Sequence, residues 1–342
     1  MGKIGFNRWR MRFEAEGLDL EIPLERMQIE QFKKRVHFVD PEQPDWSVFT
    51  GNPRVLREPH LLQQVNTGDQ LRAIRNRAEL KRALVITAGF VAVFAILIQA
   101  GSVLVGMMVR SLAARVPPEW EQQLGDDALK QLAKHLTFVE DPKLRAQLDQ
   151  AAAPLLAALP PSTPQLKFYI VEFPLPNACA LPGGKVVVTT DLLALADRPE
   201  EIAGTVAHEV AHLTQKHLLR RVISASGPYL IFKMFAGDGH GLLGALGDGS
   251  QFLVRQSFSQ EYELEADSVG WDYLVAAHID PRGLADMLRK LKGVQDSRPE
   301  MQPQLQAFSS HPATEKRIQR LEAKWEKLKV KSGFIDYSVK TD

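Results

Sequence analysis

The chain has 342 residues, 45% hydrophobic and 24% charged, enough for one large folded domain or two modest ones. A net charge of +1 excludes the global basic field that holds nucleic acid, so no nucleic-acid partner is expected. The single cysteine, Cys179, excludes an intramolecular disulfide and a zinc site built from several thiolates.

Residues 1–80 are polar and mixed. Leu18-Asp19-Leu20-Glu21-Ile22 alternates, and Met27-Gln28-Ile29-Glu30 continues the pattern. Val36 to Val39 and Trp46 to Phe49 are further short strands, punctuated by Pro41, Pro44, Gly51 and Pro53. The expectation is a small β-rich module on the cytoplasmic side that binds an unknown partner. It carries no identifiable chemistry, and His37 and His60 read as ordinary histidines. From Leu61 to Arg82 the pattern turns helical and basic.

Ala83 to Val109 holds no charged residue across 27 positions. A membrane-spanning helix needs about 20 apolar residues, so one helix is expected to span at 83–109. Arg72, Arg75, Arg77, Lys81 and Arg82 precede it, and Arg110 and Arg115 follow it. Five basic residues against two orient the N-terminus to the cytoplasm. The rest of the chain then lies outside, in the periplasm of a bacterium.

Residues 116–330 read as one domain, with 331–342 as a tail. Pro117-Pro118-Glu119 opens a helical region with a break near Gly125. Asp141-Pro142 opens another that ends at Leu159. Leu166 to Val171 and Lys185 to Thr190 read as strands around the turn Pro182-Gly183-Gly184. The latter strand offers an edge on which an extended substrate can pair. A helix follows, with Asp197 as its cap, Pro199 in its first turn and Glu200 three residues after the cap.

That helix carries His208-Glu209-Val210-Ala211-His212, an H-E-x-x-H motif. Residues four apart share a helix face, so both imidazoles can aim at one Zn²⁺. Glu209, beside the first ligand, can act as general base toward a water. The flanking residues are almost all apolar, and polar groups on a buried helix need a partner. A catalytic zinc needs a third ligand. His217, five residues past His212, is rotated by about 500° along a continuous helix and is expected to point away. The metzincin continuation would need glycine and histidine where Gln215 and Leu218 stand.

The third ligand is sought in Ser257 to Asp267. Glu263 and Asp267 are four apart on one helix face, one to bind and one to orient an imidazole. Spacing alone leaves Glu261 and Glu263 open, and Glu261 and Glu265 are assigned to a solvated acidic face. Between the two helices, Ala236 to Gly249 is glycine-dense and reads as a lid, with His240 facing solvent; the apolar Tyr229 to Phe235 is expected to pack. His135 and His278 read as structural. Ser309-Ser310-His311-Pro312 heads a last, heavily charged amphipathic helix from Ala313 to Lys329.

H-E-x-x-H followed by S-x-x-x-E-x-E-A-D, with Pro176-Asn177-Ala178-Cys179-Ala180-Leu181-Pro182-Gly183-Gly184 upstream and His311-Pro312 downstream, resembles the M48 peptidases. These gluzincins include the HtpX-like and CAAX prenyl proteases and periplasmic quality-control proteases. The resemblance runs from about Tyr169 to Leu321 and implies Glu263 as the zinc-binding glutamate. It implies an orienting or proton-donating role for Asp267, and His311 near the active site, touching a substrate carbonyl or filling the open zinc position at rest. Gln260 stands where the family often has arginine, and Cys179 where phenylalanine is common. The single span points to the single-anchor, periplasmic-type branch.

The expected fold is therefore α+β: a mainly helical gluzincin domain with a small sheet, one transmembrane helix and a β-rich N-terminal module. The expected function is a zinc endopeptidase of the inner membrane acting on misfolded or exported envelope proteins, with one Zn²⁺ on His208, His212 and Glu263. The competing expectation is a chaperone-like or scaffold protein that binds in the same cleft with little turnover.

Overall fold

The computed structural model describes residues 2–33, 35–225, 258–297, 311 and 313–337. The glycine-dense stretch 236–249, the apolar 229–235 and His240 lie outside the described residues. Two compact units, Met1–Val103 and Leu104–Asp342, divide the chain.

The first unit is built from two three-stranded antiparallel sheets. β1 (Lys3–Phe6), β2 (Arg10–Ala15) and β3 (Leu18–Pro23) form one, and β4 (Gln28–Phe32), β5 (Arg35–Val39) and β6 (Ser47–Thr50) the other. Alternation does the work: Met11, Ile22, Ile29, Val36, Phe38 and Val48 turn inward onto one core with Leu24, Met27 and Leu61. β1 and β2 add to the strands read from the sequence. A short helix α1 (Pro59–Gln63) leads into α2 (Val65–Ala114), a single helix of 50 residues. Asn66 and Gln70, in its first turns, donate to the Met27 carbonyl and tie it to the module. Farther along α2, the side chains from Leu84 to Met108 are exposed and uncharged, apolar except for Thr87, Gln99 and Ser102, with a mean hydropathy of 2.4 over one 18-residue window. That suits a single-pass membrane protein.

The second unit is α+β. Its helices are α3 (Pro118–Leu132), α4 (Pro142–Ala158), α5 (Thr190–Leu195), α6 (Pro199–Thr214), α7 (residues 217–225), α8 (Gln260–Ala276), α9 (Arg282–Ser297) and α10 (Glu315–Lys327). Its sheet has the order β7 (Thr137–Phe138), β8 (Lys167–Glu172), β10 (Lys185–Thr189), β9 (Ala178–Leu181). β10 pairs in parallel with β8 and antiparallel with β9. The strand read as a docking edge, Lys185 to Thr190, is therefore interior, and every residue of β10 is buried. Among the described residues β9 is the free edge on that side.

Two local expectations change. Gly125 does not break a helix; α3 runs through it, and a Cβ there would collide with the Pro182 carbonyl, so glycine lets α3 lie on the Pro182 turn. Asp197 does not cap α6. Arg198 holds that position, and Glu201 reaches back to accept the Asp197 N–H at 2.8 Å.

Candidate metal centre

α6 is the centre of the second unit, and its residues from Glu201 to His212 are all buried. It is approached closely by two neighbours. A Cβ on Gly204 would stand 2.6 Å from the Leu284 nitrogen of α9, and one on Gly270 of α8 would stand 3.1 Å from Ala207 backbone atoms. Backbone thus meets backbone, and α8 delivers its acidic face to the histidines.

His208 Nε2 and His212 Nε2 lie 3.1 Å apart. Glu263 Oε2 is 3.4 Å from His208 Nε2, and Glu263 Oε1 is 3.5 Å from His212 Nε2. His311, preceding α10, brings Nδ1 to 3.3 Å from His208 Nε2 and 2.8 Å from Glu263 Oε1. One ligand atom from each of these four residues falls within 4.8 Å of all the others. Glu209 stands beside them. The Ala180 backbone of edge strand β9 hydrogen-bonds its carboxylate, and Oε1 is 3.5 Å from His311 Nε2.

The ligand-type residues are backed by others. Asp267 Oδ1 is 3.0 Å from His208 Nδ1, the side of that ring turned away from the cluster. Arg317, 1% exposed, grips Asp267 with two bonds, Nε to Oδ2 at 2.8 Å and Nη2 to Oδ1 at 2.7 Å. Its Nη1 stands 2.7 Å from Glu263 Oε2. On the other side, His217 Nδ1 is 2.9 Å from His212 Nδ1.

Electrostatics follow from burial. Burial works to lower the His208 pKa, but hydrogen bonds to Asp267 and Glu263 overcome it and push it up to about 9. His212 is held well below its ordinary value by burial and by the neighbouring imidazoles. Burial works to raise Glu263 and Asp267; His311 and His208 lower the former, Arg317 and His208 the latter, and both end below the ordinary carboxylate value. Glu209 is raised, chiefly by burial.

A divalent cation fits this arrangement on three counts. Among the described residues, three buried carboxylates, Glu209, Glu263 and Asp267, face one buried permanent cation, Arg317, so the rest of the negative charge falls to a proton on His208 or to a bound cation. The spacings of 3.1–3.5 Å match the edge of a tetrahedron whose ligand bonds are about 2.0–2.1 Å, an edge of about 3.3 Å. Among the described residues, Glu209 Oε2 and His311 Nε2 are buried with no hydrogen-bond partner, and both stand at this cluster. The donor set of imidazole and carboxylate suits zinc.

The structure thus brings His208, Glu209, His212, Glu263, Asp267 and His311 together. Glu261 is not among the residues of the cluster. Two expectations are overturned. His217 does not point away, because α6 ends at Thr214 and the chain turns through Lys216, at φ +53°, before α7 begins. Glu265 is not on a solvated face; it pairs with Arg220, His217 and Arg110. Arg317 was not foreseen. The available signal was a charge beside the apolar stripe Ile318, Leu321 and Trp325 of α10.

A groove opens onto His208 and Glu209, lined by Phe173, Leu175, Leu284, Met287 and Leu291. Its apolar walls come from the chain around β8 and β9 and from α9, and Asn177, Thr205 and Gln295 add polar groups.

Comparison with known proteins gives the same region a family. The model of peptidase family M48 matches residues 139–325, more than half of the chain. The beta-barrel assembly-enhancing protease of Escherichia coli K12 is 28% identical over 212 residues, 58% of this chain and 42% of that protein. The protein of the same name in Yersinia pestis is 29% identical over 193 residues, 53% of this chain and 39% of that protein. The mitochondrial metalloendopeptidase OMA1 of Schizosaccharomyces pombe is 28% identical over 174 residues, half of each chain. The match to the first two spans about two fifths of their length.

Proposed function

The chain belongs to peptidase family M48, and from that premise we propose that it is a membrane-anchored zinc endopeptidase. The observation that carries the reading is the convergence of His208, His212 and Glu263 around one point with Glu209 beside it. These three residues would hold the ion, and Zn²⁺ held there would supply Lewis-acid activation of a water and of the scissile carbonyl. Glu209 takes the proton from the attacking water and delivers it to the leaving amine. Burial raises its pKa above the ordinary carboxylate value. Asp267 fixes the His208 ring by accepting from Nδ1, and Arg317 fixes Asp267.

Substrate lies extended along β9, whose edge runs past Glu209, and places a large apolar side chain in the groove between β9 and α9. His311 sits within bonding reach of Glu263 and close to His208, where it would compete with substrate for the site at rest. The apolar length of α2 spans the bilayer, and the excess of basic residues before it puts the N-terminal module in the cytoplasm and residues 116–330 in the periplasm. Misfolded or exported envelope proteins are the substrates within reach there. The relatives named as assembly-enhancing proteases support that class.

The test is cleavage of an unfolded protein with and without a zinc chelator, by wild type and by Glu209→Gln. Wild type cleaves and the chelator stops it. Glu209→Gln keeps its zinc and loses about 10²–10⁴-fold in rate. Chelator-resistant cleavage, or an active Glu209→Gln, refutes the reading. An alkaline phosphatase fusion at the C-terminus is active under this topology and inactive under the reverse one.

A further inference from the structure

His212 has an ordered support that the proposed chemistry does not use. If Nε2 of His212 faces the metal position, its proton resides on Nδ1. That N–H points at His217 Nδ1, 2.9 Å away. His217 Nδ1 must then be the acceptor, so the His217 proton resides on Nε2, which donates to Glu265 Oε2 at 3.1 Å. Glu265 only accepts. Arg220 Nη1 holds the same oxygen at 2.9 Å, and Arg110 Nη2, near the C-terminal end of α2, holds the other at 2.7 Å. One set of tautomers satisfies every link. His217 is fully buried, and its ring is stacked on Tyr262 with centroids 4.6 Å apart and planes 6° from parallel.

The backbone is bent to make this contact. A continuous helix would carry His217 away, and the turn through Lys216 returns it. A lysine at φ +53° is in the left-handed region that costs an L-residue energy. Lys216 Nζ is held by Glu121 Oε1 at 2.6 Å, and its N–H by the Leu213 carbonyl at 3.0 Å. His208 needs no such device, since Asp267 backs it directly.

We propose that His217 and Glu265 are positioning residues for the metal, fixing tautomer and ring orientation of His212 through an imidazole inserted between carboxylate and ligand, with Arg220 and Arg110 holding the carboxylate. This rests on the zinc reading above. A partner standing behind a metal-binding histidine is typically worth about 10–100-fold in metal affinity.

The full chain is purified in detergent, and its zinc dissociation constant is measured by competition with a chromophoric chelator, alongside the melting temperature of the zinc-loaded form. His217→Phe fills the space without accepting a bond and binds zinc about 10–100-fold more weakly. His217→Gln can accept from His212 on its oxygen and donate to Glu265 on its nitrogen, and recovers most of that loss. Glu265→Gln weakens zinc less than His217→Phe. Arg110→Met costs no more than a few-fold, because Arg110 is exposed. A folded His217→Phe with wild-type affinity overturns the proposal, and so does a His217→Gln as weak as His217→Phe. If His217→Phe does not fold, Glu265→Gln decides, and wild-type affinity there overturns it. His208→Ala separates the premise from the inference. If His208→Ala binds zinc as tightly as wild type, the zinc site itself is wrong; if it loses zinc while His217→Phe does not, the positioning role alone fails.

Discussion

Replacing Arg317 by methionine removes the buried guanidinium that, among the described residues, stands against the buried carboxylates Glu263 and Asp267. The guanidinium makes two bonds to Asp267, at 2.8 and 2.7 Å, and stands 2.7 Å from Glu263. Methionine restores the bulk and none of the charge. Breaking a buried pair by deleting one partner costs about 3–5 kcal/mol, because the survivor is left buried and uncompensated. In a domain of this size each kcal/mol moves the midpoint by roughly 2–4 °C, so Arg317→Met melts roughly 6–20 °C below wild type. Removing the stranded charge as well should help: Arg317→Met with Asp267→Asn recovers part of the loss, although Glu263 remains. Circular dichroism of the zinc-loaded full chain in detergent measures both. A single variant within about 3 °C of wild type, on the same scale, refutes the claim that Arg317 balances the buried carboxylates. A double variant that melts lower than the single would refute it equally.

Glu263→Ala loses stoichiometric zinc by elemental analysis; retention would transfer the ligand role to another carboxylate such as Glu261. Gly270→Ala inserts a methyl 3.1 Å from Ala207 and His208 backbone atoms, which costs about 1–3 kcal/mol in thermal unfolding and weakens zinc in the same chelator competition. A neutral Gly270→Ala would mean that the two helices separate freely. His311→Ala opens the position next to His208 and Glu263, so initial rates on an unfolded substrate rise while resistance to chelator falls; unchanged rates would leave His311 without a gating role.

What could be read from the chain beforehand was what repeats or has a chemical signature. The uncharged 27-residue run, the strand alternation around Val36, the β-branched run Val186 to Val188, and the H-E-x-x-H spacing each rest on a local pattern that tertiary structure does not alter. Three misreadings share another origin. Helical spacing carries His217 away only while α6 stays straight, and the turn at Lys216 carries no glycine to announce it. Glu265 looks like any acid on a charged helix until Arg220, forty-five residues back, is folded against it. Gly125 reads locally as a break because glycine lowers helix propensity, whereas the Pro182 turn it admits comes from distant sequence. In each case the deciding partner lies elsewhere in the chain, and a local pattern cannot contain it.

The contacts at Gly204 and Gly270 have a mechanical consequence. Where side chains separate two helices, the gap follows their rotamers and breathes with them. Here the spacers are peptide groups, which have no rotamers to change. At Gly270 the distance from the histidine helix to the glutamate helix is set as by a rigid shim, and at Gly204 that from the histidine helix to α9. Substitutions in the surrounding core will drain stability well before they alter that gauge, and warming will loosen the packing around the ligand atoms before it spreads them apart.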